Sequence, residues 1–149
     1  MSIIDICKRD VVTLGRDDTV SHAAKLMRQH HVGDVLVTEK KHGKLEPIGI
    51  VTDRDIVIEI IAPGLDPNVI TVGDIMQPNL FTTKEDAGVF DAIKIMTSKG
   101  VRRLPVIKKD GALAGIITLD DLFLMMAKEF CSFAKLLTKQ QKNEALKRR

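Results

Sequence analysis

Aromatic residues are scarce in this sequence. It has no tryptophan and no tyrosine, and phenylalanine occurs five times among 149 residues. Proteins that bind single-stranded nucleic acid stack the bases on aromatic side chains set among basic ones. The net charge of +3 is also small, so the composition argues against a nucleic-acid partner.

Cysteine and long apolar runs are scarce as well. Cys7 and Cys131 are the only cysteines and lie far apart, so neither a disulfide framework nor a cysteine-ligated zinc site is indicated. No window approaches the roughly 20 apolar residues of a membrane span, and the first residues lack the pattern of a signal peptide. We therefore predict a cytoplasmic protein without a membrane partner.

Sequence motifs for catalysis are missing too. There is no Walker-type phosphate loop, no dinucleotide-binding fingerprint, and no serine or cysteine in a nucleophile motif. The four histidines lack cysteine or acidic companions at metal-ligand spacing. The sequence therefore predicts no catalytic residues, no metal and no obligatory cofactor.

One octapeptide occurs twice. Residues 49–56 and residues 115–122 each consist of a glycine, a short β-branched run, a threonine, and an aspartate three residues later. An apolar helical pattern follows the aspartate. This order predicts a buried strand that runs directly into a helix.

The repeat extends well beyond the octapeptide. Residues 5–7, 23–27 and 31–37 each match a segment 69 residues later, whereas the octapeptides are 66 residues apart. The first copy therefore has three extra residues, which we place in an exposed loop at 39–44, and Gly33 is expected to end the first helix. Such a long period exceeds that of solenoid repeats, and it predicts two β-α-β-β-α half-domains packed about a pseudo-twofold axis.

This repeated unit, ending in Gly-h-h-Thr-x-x-Asp-h with h apolar, resembles a stand-alone CBS (cystathionine β-synthase) domain pair over about residues 3–127. Pro105 fits the family's habit at its strand, whereas the counterpart Leu36 departs from it. The resemblance implies an α+β fold of tandem CBS motifs. The implied division is a first motif at 1–62, a linker at 63–73, a second motif at 74–128, and a helical extension with a basic tail at 129–149.

The resemblance also implies a function. CBS pairs are typically regulatory, often form homodimers, and bind adenosine-containing ligands between their motifs. The expected ligands are AMP, ADP, ATP or S-adenosylmethionine, and the expected role is to pass ligand state to a regulated protein that the sequence does not identify. The competing hypothesis is an interaction module whose clefts stay empty and which acts through its dimer and its C-terminal helix.

The Thr-x-x-Asp motif allows two interpretations. An ionised aspartate accepts both hydroxyl donors of a ribose diol, and a threonine at a helix N-terminus suits a phosphate. The same spacing is also that of a helix capping box, which needs no ligand. Because the motif occurs twice within a matching repeat, we favour ligand binding and expect that the residues also cap their helices.

The resemblance places each Thr-x-x-Asp against the first strands of the other motif, which implies two unequal clefts. Thr52 and Asp55 would face residues suited to a purine and its phosphate: Phe81, Val101, Arg102 and Arg103. Thr118 and Asp121 would instead face Val12, Gly33 and Asp34. Charge-assisted hydrogen bonds contribute about 1.5–3 kcal/mol each, so the first cleft should bind a nucleotide more than tenfold better. The second would take an adenosine ligand without a charged tail, or none.

The C-terminal region predicts one long helix. No glycine or proline interrupts residues 119–146. An apolar stripe runs through Leu122, Met126, Phe130, Phe133 and Leu137, which we interpret as a surface for a partner or a second copy. For the basic tail we prefer a solvated helix end whose cations complement the helix dipole.

Overall fold

The computed structural model describes residues 1–148 and confirms the α+β fold with its repeated order of elements. A 3₁₀ turn at Ile3–Asp5 precedes the first strand, and a π-helical turn at Val57–Ile61 continues the second helix. The first half contains β1 (Thr13–Gly15), α1 (Val20–His30), β2 (Asp34–Lys41), β3 (Lys44–Thr52) and α2 (Asp53–Ile56). The second contains α3 (Val72–Ile75), β4 (Thr83–Lys84), α4 (Val89–Lys99), β5 (Arg103–Ile107), β6 (Leu113–Thr118) and α5 (Leu119–Lys147).

The two halves form three-stranded sheets of identical topology. In each sheet the central strand pairs in parallel with the preceding strand and antiparallel with the following one. Asp34 lies opposite Thr52 in one sheet, and Arg103 lies opposite Thr118 in the other. Each Thr-x-x-Asp therefore starts a helix beside the first residue of a neighbouring strand.

Two local expectations were wrong. We had expected Gly33 to end the first helix, but α1 ends at His30 and is capped by His31 in the left-handed conformation (φ 53°). The predicted loop at 39–44 is instead a continuation of β2 and β3, which pair as far as Lys41 and Lys44. His42 and Gly43 have φ values of 50° and 76°, and a two-residue hairpin turn of type I′ requires such positive φ values at both positions.

The halves exchange their leading segments. Lys8 forms two backbone hydrogen bonds with Ile116 of β6, each 2.9 Å long. The equivalent Gln77 donates its backbone N–H to the carbonyl oxygen of Ile50 in β3 at 3.2 Å. Each half therefore extends its entering chain across the sheet of the other half, as a pseudo-twofold axis requires.

The two hydrophobic cores reflect this exchange. Ile3, from the start of the chain, is fully buried in the second core, and Val72 is fully buried in the first. Neither core thus follows the boundaries predicted at residues 62 and 74. The first core consists of Leu14, Ala23, Met27, Val35, Val37, Val51 and Val72, and the second of Ile3, Val89, Ala92, Met96, Leu104, Val106, Ile117 and Leu122.

The glycine of each octapeptide lies where the exchanged segment crosses the sheet. A Cβ atom on Gly115 would be 2.5 Å from the backbone oxygen of Lys8, and one on Gly49 would be 2.5 Å from the Sδ of Met76. Both distances are shorter than ordinary Cβ contacts, so a side chain at either position would force the crossing segment to move.

The long helix α5 leaves the body of the protein after its first two turns. Leu122 is buried, but every described residue from Met126 to Arg148 is exposed. Arg149, which belongs to the predicted basic tail, lies outside the described residues. Within residues 1–148, no helix is both long enough and apolar enough to cross a bilayer.

The crossing glycines generate a stability prediction. Gly115→Ala should lower the free energy of unfolding by about 1–3 kcal/mol, because the new methyl group meets backbone that cannot move aside alone. Gly49→Ala should cost less, since the methionine side chain it meets is flexible. Urea denaturation measures both changes. Gly15→Ala is the control, because its Cβ would meet nothing closer than 3.5 Å; equal losses at Gly15 and Gly115 would contradict the crossing as the cause.

Candidate ligand-binding clefts

The larger cleft lies between the two halves. It has a volume of about 620 Å³ and is lined by segments from both halves of the chain. Its apolar wall includes Ile50, Leu80, Phe81, Val101 and Pro105, and its polar lining includes Thr52, Gln77, Asn79, Arg102 and Arg103. A size of this order and an apolar wall with a few polar groups are typical of small-molecule sites.

Phe81 and Val101 lie in this cleft, as the sequence led us to expect. The Nζ of Lys99 lies 5.2 Å from the centroid of the Phe81 ring, a cation–π distance. Because one face of the ring is covered by the ammonium group, a purine can stack only on the other face.

Thr52 and Asp55 form a capping box at the start of α2. The backbone N–H of Thr52 donates to the Oδ2 of Asp55 at 2.9 Å, and the N–H of Asp55 donates to the Thr52 hydroxyl at 3.1 Å. Thr52 lines the cleft, whereas Asp55 is not among its lining residues. The other oxygen of Asp55 is 3.5 Å from the side-chain amide of Gln77, which does line it. Asp55 therefore reaches the cleft edge through Gln77.

The equivalent capping box at α5 carries an extra charge. Thr118 donates its N–H to the Oδ2 of Asp121 at 3.0 Å, and the Nζ of Lys8 lies 3.2 Å from the Oδ1. The Asp121 side chain is only 9% exposed. Lys8 occupies the position that Gln77 holds in the other half. Asp121 is thus neutralised by an ammonium group, while Asp55 meets only a neutral amide.

The Thr-x-x-Asp pattern also occurs away from both clefts. Thr71 and Asp74 form a capping box at the start of α3, with hydrogen bonds of 3.0 and 3.3 Å. The backbone N–H of Thr71 lowers the pKa of the Asp74 carboxyl group. Neither residue lines a cleft. The motif alone therefore specifies a helix cap, and only its position in the fold makes it a candidate ligand contact.

The smaller cleft lies on the other side of the two arginines. Its volume is about 380 Å³, and it contains the predicted residues Gly33, Asp34 and Thr118 together with Lys8 and Asp120. Val12 lines neither cleft, because its side chain packs against the first core. The lining mixes charges of both signs and has little of the apolar wall found in the larger cleft.

Arg103 connects the two clefts. It lines both of them, and its Nη1 lies 3.1 Å from the Oδ2 of Asp34. The two residues are equivalent in the repeat, so their ion pair bridges the pseudo-twofold axis. The Nε of Arg103 is buried without a hydrogen-bond partner. Arg102 also borders both clefts but is 72% exposed and 4.0 Å from Asp120, which makes it a solvated cation in this state.

Comparison with protein families identifies the repeated unit. The model of the CBS domain matches residues 3–62 and 72–128. The chain belongs to the CBS domain family. The resemblance stated from the sequence is thereby confirmed.

Relatives of similar sequence include proteins with and without a described role. An uncharacterized protein of Methanopyrus kandleri, MK0525, is 38% identical over 122 residues, which are 82% of this chain and 61% of that protein. This chain therefore spans about three fifths of that relative. The hypoxic response protein 1 of Mycobacterium tuberculosis is 35% identical over 121 residues, which are 79% of this chain and 80% of that protein.

Solved CBS structures resemble this chain over most of its length. Hypoxic Response Protein I, solved with two coordinated zinc ions, has a TM-score of 0.72 and 32% identity and covers 84% of this chain and 98% of its own. PAE2072 from Pyrobaculum aerophilum, complexed with AMP, has a TM-score of 0.73 and 25% identity, and the match covers 82% of this chain and 90% of that one. The CBS pair of MJ0100, in complex with 5'-methylthioadenosine and S-adenosyl-L-methionine, has a TM-score of 0.73 and 26% identity, and the match covers 87% of this chain and 98% of that one.

No metal centre is apparent in the part of this CBS pair that the structure describes. Among residues 1–148, no three histidine, cysteine or acidic side chains gather closely enough to hold a metal ion.

Sequence reasoning missed several cleft residues, including Asp53, Arg54 and Asp120. The two that change the interpretation most are Lys8 and Gln77. The constant offset of the repeat makes them equivalent, but nothing in the sequence shows that the leading segments of the CBS motifs exchange partners. Lys8 also changes the expected electrostatics of the smaller cleft. Burial raises the pKa of Asp34, as does the carboxylate of Asp53, while Arg103 and Lys8 lower it. The carboxylate that we expected to repel phosphate is thus partly compensated.

The Arg103–Asp34 pair generates a pH-dependent prediction. The pKa of Asp34 is raised in the folded state. The stability that the protonated Asp34 carboxyl group contributes is therefore present in acid and is lost as the pH rises through that pKa. Arg103→Met should raise this pKa further, because the ionised carboxylate would be left half-buried and unpaired. We expect a loss of about 1–3 kcal/mol at neutral pH and a smaller loss in acid, measured by urea denaturation.

Arg102→Met serves as the matched control. An exposed ion pair contributes little, so this variant should unfold like the wild type at both pH values. A loss for Arg103→Met that is the same in acid and at neutral pH would contradict an electrostatic role for the pair.

Proposed function

We propose that this CBS pair is a regulatory sensor that binds an adenosine-containing ligand, AMP, ADP, ATP or S-adenosylmethionine, in the larger cleft. The observation that carries the proposal is that one cleft combines an apolar wall, a helix N-terminus with its threonine, and three arginines (Arg54, Arg102 and Arg103) beside the carboxylate of Asp53. The complexes of PAE2072 and MJ0100 support this ligand class.

Each part of such a ligand has a matching group. The free face of Phe81 and the side chain of Val101 receive the purine. The ribose hydroxyls approach Asp55 by displacing the Gln77 amide, whose 3.5 Å contact is long for a hydrogen bond. The phosphate or other polar tail meets Arg103, whose buried Nε still lacks an acceptor, and Arg102, which is free to move.

The smaller cleft is the weaker candidate. Asp121, which we expected in its lining, does not line it and is already paired with Lys8, whereas the carboxylate of Asp34 does lie in its lining. The volume and apolar area available to a purine are also smaller. A phosphate-free adenosine derivative fits this cleft better than a nucleotide does.

Arg103 provides a route by which binding changes the protein. A phosphate in the larger cleft competes with Asp34 for the guanidinium group. When the ion pair opens, a half-buried carboxylate on the other side of the pseudo-twofold axis loses its partner. Occupancy of one cleft is thereby transmitted to the other and to the surface around it, where a regulated protein binds. The proposal includes no chemical step, so the ligand is released unchanged.

A second candidate function is an interaction module whose clefts stay empty. It is favoured by the apolar side chains that α5 exposes, among them Phe130 at 67% and Phe133 at 62%. Under this alternative, α5 contacts a partner independently of any ligand. Titration with nucleotide separates the two functions.

Calorimetric titration with AMP tests the choice of cleft. Asp55→Ala should weaken binding roughly 10- to 100-fold, the range set by losing charge-assisted hydrogen bonds of about 1.5–3 kcal/mol. Asp121→Ala should change the affinity far less, because that carboxylate is committed to Lys8.

Asp74→Ala is the matched control for these variants. It removes the same type of helix cap, which stabilises a helix by about 0.5–2 kcal/mol, but Asp74 lines neither cleft. Its affinity should equal that of the wild type. If Asp121→Ala is the more damaging substitution, the ligand occupies the smaller cleft. If neither AMP, ADP, ATP nor S-adenosylmethionine produces heat, the interaction module is the better account.

A further inference from the structure

The outer part of α5 has no partner within residues 1–148. Five of its exposed apolar side chains form one stripe, Phe123 at 60%, Met126 at 40%, Phe130 at 67%, Phe133 at 62% and Leu137 at 61%, while Leu124, Leu136 and Leu146 are exposed outside that stripe. A single helix that packs against nothing is only marginally stable in water. Large apolar side chains clustered at the surface indicate an interaction site.

The spacing of these five residues specifies the kind of partner. They follow one another at intervals of three, four, three and four residues, which is the a/d pattern of a coiled coil. We call these residues the α5 seam. Lys128, Lys135 and Lys142 lie seven residues apart on the opposite side of the helix, where they remain in solvent. A narrow seam of this kind matches a second helix.

The borders of the α5 seam suit a copy of itself. Ala127 and Ala134 follow the d positions on one border, where small side chains let another helix approach closely. The other border carries Glu129 and Leu136. Neither border carries a lysine over residues 127–136, because the two lysines of this stretch, Lys128 and Lys135, lie on the opposite side of the helix. Two copies of the α5 seam therefore meet without repulsion between cations.

Charge along the helix favours an antiparallel pair. The start of α5 carries the exposed Asp120, whereas its end carries Lys139, Lys142 and Lys147 against Glu144 alone. A parallel pair would bring two cationic ends together. An antiparallel pair places each cationic end beside the acidic start of the other helix and also opposes the helix dipoles.

We propose that α5 pairs antiparallel with α5 of a second copy of this chain. The α5 seam is centred between Cys131 and Ser132, which sets Phe130 against Phe133 of the second copy and Met126 against Leu137. The five side chains bury roughly 500 Å² per copy and about 1,000 Å² in total, which reaches the lower limit for a specific interface. The pairing does not depend on ligand binding in the clefts.

Light scattering and sedimentation equilibrium on the full chain test the pairing. The wild type should be a dimer, and the variant Phe130→Glu with Phe133→Glu should be a monomer. The control variant is Lys128→Glu with Lys135→Glu, which places the same new charges on the opposite side of the same helix and should remain a dimer. A monomeric wild type, or a dimer that survives the α5 seam substitutions, would overturn the proposal.

Cysteine crosslinking tests direction and register, and it does not depend on how well the glutamate variants fold. In a Cys131→Ser background, Met126→Cys mixed with Leu137→Cys should form a disulfide between the two variants, and neither variant should crosslink with itself. Self-crosslinking of either would show a parallel pair. If the wild type is monomeric and instead floats with vesicles of anionic lipid, the α5 seam binds membranes and the helix pair is wrong.

Discussion

The exchange of leading segments between the two halves is the constraint on which the rest of the structure depends. The chain around Lys8 crosses β6, and the chain around Gln77 crosses β3, each over a glycine that leaves room for it. The same crossings bury Ile3 and Val72 in the opposite cores. Neither half can therefore complete its core alone, and the clefts form where the crossing segments meet the caps of α2 and α5.

The two halves have the same fold but different residues at equivalent positions, and these sequence differences make the two clefts chemically different. Residues at equivalent positions near a twofold axis face one another, and identical charges there would repel. In this chain Arg103 meets its equivalent Asp34 at 3.1 Å, and Lys44 of the first half meets Asp110 of the second at 3.0 Å. Both ion pairs join the two halves, and the first joins equivalent positions of opposite charge. A chain that contains both halves can make such pairs, and as a result its two clefts no longer have the same affinity for an anion.

The order of elements could be predicted from the sequence because the repeat, the β-branched runs and the caps all pointed to one arrangement, whereas the facing sides of the clefts followed from the resemblance to CBS pairs. The hairpin at 39–44 could not, since polar residues on a protruding strand look like a loop. The orientation of Asp55 towards its own helix could not be predicted either, because the same motif can cap a helix and can bind a ligand. Lys8 was missed because a short segment without periodicity does not reveal which sheet it will join.

The central claim is that the larger cleft, rather than the smaller one, holds the ligand. Amide NMR spectra of the full chain, recorded with and without saturating AMP, test this most directly because they locate the ligand without any substitution. The account predicts that the largest changes fall on Thr52, Gln77, Phe81 and Val101, with smaller changes relayed to Asp34. Largest changes at Lys8, Gly33 and Thr118, or a spectrum that does not change, would contradict it.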